Sequence, residues 1–186
     1  MWDAKRENVV TAPRPSNTPR FVAVRRKARL RAFLALLRPS IRDRLTLLPL
    51  EATIDALGRR AEFELGCREV PLSRIGGTVA RAEDFDRQFA PRRADLRDRW
   101  TRLAGLTASG HALPPVTLVQ VGELYFVVDG HHRVSVARAL GRVTVDGCVR
   151  RICTAVRAYR YLTVAGLAAK AAERERLGET VGEEGC

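Results

Sequence analysis

Asp129, Gly130, His131, His132 and Arg133 are consecutive in the stretch YFVVDGHHRVSVARALG, residues 125–141, and include two of the chain's three histidines. An acid, a glycine, two imidazoles and a guanidinium in five positions point to the capture of an anion where a strand turns into a helix. The apolar run before them reads as a strand, and residues 131–140 read as a helix closed by Gly141. The first amides of that helix have no intrahelical acceptor, and their partial positive charge favours an anion. Gly130 permits a close backbone approach. His131, His132 and Arg133 in the first turn oppose the helix dipole, unless a phosphate sits there with Arg133 forking onto two of its oxygens. Asp129 reads as a helix cap, a general base or a magnesium ligand. On spacing alone a plain capped turn with exposed polar residues stays equally open.

Around the turn the chain alternates strands and helices. VTLVQV, after Pro114-Pro115, is a strand, Gly122-Glu123 a tight connection and LYFVV the next strand. Earlier, VPLSRI is a short strand broken by Gly76-Gly77, and TVARAEDFDRQFAP is a polar loop. ADLRDRWTRLAGLTASG is a helix with Leu96, Trp100, Leu103 and Leu106 on one face. After the turn, VTVDGCVRRICTAV supplies one or two strands, and residues 163–177 form an alanine-rich helix. Near the N-terminus, residues 24–38 form a helix whose apolar stripe is Leu30, Phe33, Leu34 and Leu37. Ser40 caps a short second helix, and Pro49 opens a third that Gly66 stops. The expected organisation is an unstructured N-terminus over 1–20, a helical region over 21–66 and an α/β domain over 67–160. A C-terminal helix over 161–178 and an unstructured acidic tail over 179–186 complete it. The fold class is α+β, a small mixed sheet preceded by an all-helical region.

The net charge of +12 invites association with phosphates, including DNA through arginine-rich helices. All but three of the 33 basic residues are arginines, a bias that a GC-rich bacterial genome also explains, and a solvated face is the plainer reading of those helices. No apolar run is long enough to span a membrane, and the first twenty residues lack the apolar core of a signal peptide, so a cytoplasmic protein without membrane contact is expected. Cys67, Cys148, Cys153 and Cys186 form no CxxC pair and read as incidental thiols; no structural metal is expected.

PLSRI, ARAEDFDRQF and GHALPPVTLVQVGELYFVVDGHHRVSVARALG, in that order, resemble the ParB/sulfiredoxin superfamily domain over about half the chain. Residues 71–75 match the first strand of ParB-type partition proteins, Arg81 their loop arginine, and Gly110 to Pro114-Pro115 the approach to the next strand. Gly130-His131-His132-Arg133 stands where their Gly-Glu-Arg-Arg turn would be. The resemblance implies a nucleotide (ATP, ADP or CTP, with or without magnesium) held at this turn. It puts Gly130, His132 and Arg133 on phosphate-contacting positions, with His131 beside them, and Arg81 on a loop that faces the nucleotide. Sulfiredoxins carry their nucleophilic cysteine where His131 stands, so sulfinic-acid reduction is not implied. Free-serine kinases of the superfamily carry a similar Asp-Gly-His-x-Arg turn. Two functions therefore stay open: a ParB-like nucleotide-binding protein associated with DNA, and a phosphotransferase or phosphohydrolase with Asp129 as general base.

Overall fold

Strands β4 (Val116–Val121) and β5 (Leu124–Asp129) form the centre of the molecule, because both bury apolar side chains on both faces. The computed structural model describes residues 19–178; the expected unstructured ends lie outside the described residues, apart from Pro19 and Arg20. β4 and β5 pair antiparallel within a mixed six-stranded sheet. On one side, β5 runs parallel to β3 (Ile75–Thr78), which runs parallel to the two-residue β1 (Leu48–Pro49). On the other, β4 runs parallel to β6 (Thr144–Thr154), and β6 pairs antiparallel with the edge strand β2 (Arg59–Pro71).

Alternation along the central strands divides the core in two. Val116, Leu118, Tyr125 and Val127 face a layer made by α1 (Phe21–Leu37), α4 (Arg97–Ala108), α5 (His131–Ala139) and the loop that carries Phe85 and Phe89. Val119, Val121, Leu124 and Phe126 face α3 (Leu50–Leu57) and α6 (Leu167–Gly178). A second short helix, α2 (Pro39–Leu45), follows α1. The class is α+β, with a mixed sheet and a helical N-terminal region, and no helix among the described residues is long and apolar enough to cross a membrane.

Four local expectations are corrected. The third helix ends at Leu57, because Gly58 turns the chain with φ 74, and residues 59–71 form the edge strand instead. Ala, Glu and Leu in this stretch favour a helix, but pairing along β6, including Arg150 Nη1 to Glu62 Oε1 at 2.8 Å, overrides that weak preference. Gly76-Gly77 lies inside β3 rather than ending it, since a Cβ on Gly77 would run into the Phe126 ring of the adjoining strand.

In α1 the buried residues are Phe21, Ala28 and Ala35, while Leu30, Phe33, Leu34 and Leu37 are exposed. The rotation of this helix is set by Phe21 against Trp100, with ring centroids 5.7 Å apart, and by two polar ties to the loop after β3. Arg25 Nε donates to Arg92 O at 3.1 Å, and Arg31 Nη1 meets Asp86 Oδ2 at 2.9 Å. Finally, Cys67 and Cys148 stand opposite each other on β2 and β6 and are joined by a disulfide, so they are not incidental thiols.

Candidate functional site

The turn after β5 is where the strand hands over to α5, and Gly130 makes the handover with φ 100 and ψ 20, a left-handed conformation. An added Cβ would stand 2.6 Å from Val116 Cγ1 and 3.1 Å from Arg133 Cζ. The glycine is thus required both by its dihedrals and by the side chains closed over it. No side chain caps α5. Val134 N, the first helical amide to close a turn, bonds Gly130 O at 3.0 Å, and the three amides before it are the ones a helix start leaves open.

The two histidines are not exposed cations in the first turn. Both are more than nine-tenths buried, against Phe85, with His131 stacked on that ring and His132 edge-on to it. Burial drives each imidazole down to about 4, helped by the positive charge of Arg81 on both and of Arg99 on His132. They are neutral near pH 7. His131 Nε2 lies 2.8 Å from Thr78 Oγ1; that hydroxyl donates to Ala80 O, accepts from Ala80 N at 3.1 Å and keeps its second lone pair for the imidazole N–H. His132 Nδ1 is buried and has no hydrogen-bond partner.

Arg133 is held by protein acceptors. Its Nη1 donates to Pro114 O and Pro115 O, each at 2.7 Å, and its Nη2 to Asp129 Oδ2 at 2.5 Å. The sequence reading gave this fork to two phosphate oxygens; the structure gives it to the strand approach and to the last residue of β5. Arg133 therefore acts as a clamp that fixes the turn against the Pro114-Pro115 segment. Arg133→Ala is expected to lower the stability of the protein alone by about 2 kcal/mol or more, measured as a fall in Tm, because three charge-assisted bonds are lost. Arg133→Lys should recover little, since an ammonium cannot make the fork. An unchanged Tm for Arg133→Ala would remove the clamp role.

Arg81 is on the loop after β3, with φ 66, and its Nη1 bonds Asp84 Oδ2 at 3.1 Å. Its charge acts on both imidazoles, so the loop arginine and the turn share one region. Asp84 also receives Arg93 and acts on both histidines in the opposite sense, while Asp129 does so on His131. Asp129 itself keeps 68% of its side chain exposed. The sequence reading missed Arg99, an exposed residue of the first turn of α4, and Thr78, which positions His131. Arg99 precedes the buried Trp100, whose Nε1 donates to Ser135 Oγ of α5 at 2.8 Å, and that bond pins α4 beside the turn. The position of Arg99 next to the helix's buried tryptophan was the available signal.

The helix start offers open amides, a buried neutral imidazole with an unpartnered nitrogen, and two exposed guanidiniums, Arg81 and Arg99, whose charges outrank those of Asp84 and Asp129 in their effect on the imidazoles. Such a set favours an anion over a cation. Among the described residues, no three histidine, cysteine, aspartate or glutamate side chains come together as a metal-holding group.

No family model matches the chain, and no curated protein matches it. Among solved structures, sulfiredoxin from Arabidopsis thaliana aligns with 46% of this chain and 84% of its own, at 21% identity and a TM-score of 0.31.

Proposed function

We propose that this chain is a ParB/sulfiredoxin-like nucleotide-binding protein that holds the polyphosphate of ATP, ADP or CTP at the first turn of α5. The observation that carries the reading is His132: its ring is buried, its Nδ1 has no partner, and it sits in an uncapped first turn. A buried polar atom left unpaired costs about 1–3 kcal/mol, and a ligand hydrogen bond offsets that cost: a phosphate oxygen accepts from an Nδ1–H, or a hydroxyl donates to a bare Nδ1, according to the tautomer. The open amides of His131, His132 and Arg133 then face the phosphate, and Arg81 and Arg99 neutralise it from the loop and from α4. Thr78 fixes His131, and Arg133 fixes the turn. Magnesium, where it takes part, would come with the nucleotide's phosphates, with Asp129 as the nearby carboxylate.

Thermal unfolding with ATP, ADP and CTP tests this reading. Tm is expected to rise with ligand concentration in the form RT ln(1 + [L]/Kd), and Arg81→Ala should reduce the rise without changing the Tm of the protein alone. No shift with any nucleotide at millimolar concentration would overturn it. The exposed Asp129, one residue before the turn, keeps the phosphotransfer reading open, with this carboxylate taking a proton from a hydroxyl or water. In that case Asp129→Asn loses turnover of ATP and keeps nucleotide affinity. DNA association rests on α1, which has five basic residues and no acidic one; such binding should weaken steeply as salt rises.

A further inference from the structure

We propose that the cationic cavity between α1 and the C-terminal half of α5 is a second anion site, suited to a phosphorylated small molecule and separate from the turn at Gly130. Its volume of about 450 Å³ is in the range of pockets that enclose small organic ligands. Arg20, Lys27, Arg31, Arg138 and Arg142 all line it. Asp86, the buried carboxylate bonded to Arg31, is already engaged, because it also accepts the backbone N–H groups of Gln88 and Ala90 at 2.9 Å each. The group therefore keeps a large excess of positive charge inside a concave surface, where cations repel one another and field lines concentrate.

Arg138 shows the cost of that arrangement. Its Nη groups donate to Leu72 O, Ile75 O and Arg87 O and to Gln88 Oε1, but its Nε is buried with no partner. Burial lowers its guanidinium to about 10; the carboxylate of Asp86 opposes that shift, and the charges of Arg87 and Arg31 add to it. A smaller cavity of about 240 Å³ continues past Arg138 and adds Arg87 and Arg160. An anion seated between α1 and α5 offsets this repulsion. The apolar part of the lining, Val24, Ala90 and Ala139, gives an organic body somewhere to rest, which a bare ion would not use. The cavity is partly open to solvent, and its volume matches a small molecule rather than an extended nucleic acid. None of these residues takes part in the turn, although both sites are on α5.

Calorimetric titration of the full chain with inorganic pyrophosphate, at fixed ionic strength, tests the proposal. Lys27 and Arg142 are exposed, so the double variant Lys27→Glu/Arg142→Glu should melt as the wild type does. It is expected to lose one class of pyrophosphate site, weakened by at least ~10-fold, while Arg81→Ala leaves that class intact. Equal pyrophosphate binding by the double variant and the wild type would overturn the proposal, whatever Arg81→Ala does. Loss confined to the double variant would support the cavity even where the turn binds nothing. Absence of pyrophosphate binding together with duplex DNA binding that the double variant abolishes would assign the surface to nucleic acid and overturn the small-molecule site.

Discussion

Between pH 6.5 and pH 4 the folded state is expected to lose stability on the order of 3 kcal/mol for each buried imidazole, with the total for the pair reduced by their mutual coupling. An unfolded histidine takes up its proton near pH 6.5, whereas His131 and His132 in the fold resist protonation until about pH 4. In the interval the unfolded chain holds more protons, so stability rises with pH. It is fully present above about 6.5 and falls away as acid is added. The geometric cause is burial against Phe85, with Thr78 already satisfying His131 and no acid hydrogen-bonded to either ring. Thermal or urea unfolding at closely spaced pH values measures the effect. His132→Asn should flatten part of the slope, because an amide does not titrate. A Tm constant from pH 7 to pH 4.5 would show that the rings are not held neutral.

Gly130→Ala is expected to cost about 2–4 kcal/mol and to abolish the phosphate binding proposed for the turn. Two separate strains combine. A Cβ disfavours φ 100, and that Cβ would be 2.6 Å from Val116 Cγ1 and 2.9 Å from Val116 Cβ. Relief requires the first turn of α5 to move away from β4, which displaces the open amides and breaks the Arg133 bonds to Pro114 O and Pro115 O. Val116→Ala in the same chain removes the 2.6 Å contact with Cγ1 but leaves the 2.9 Å contact with Cβ and the dihedral strain, so it should recover only part of the stability. Full stability and full affinity in Gly130→Ala would mean that the turn tolerates a different backbone and that its shape does not select the ligand.

The central strands and the start of α5 were legible because their signals are strong and local. LYFVV is apolar and β-branched, Asp-Gly ends it, and a helical pattern begins directly after. Arg81 entered only through the resemblance, and in the structure its charge acts to lower both imidazoles. The protonation of the histidines and the partners of Arg133 were not legible. Both depend on residues distant in sequence: Phe85 and Thr78 bury and bond the rings, and Pro114 and Pro115 offer carbonyls to the guanidinium. The edge strand β2 was hidden for the same reason, since its partner β6 lies more than seventy residues away and local propensity favours a helix. In α1 the sequence carries a clear apolar stripe, but the rotation of the helix follows Phe21, Arg25 and Arg31, which tie it to groups far along the chain.

The most direct test follows the backbone amides of His131, His132 and Arg133, and the ring nitrogens of His132, by NMR as ATP, ADP or CTP is added. The account predicts saturable shifts of these three amides and a changed Nδ1 resonance, with little change at Lys27 and Arg142 until higher ligand concentration. Amides of α5 that stay still while the protein demonstrably takes up nucleotide would contradict it.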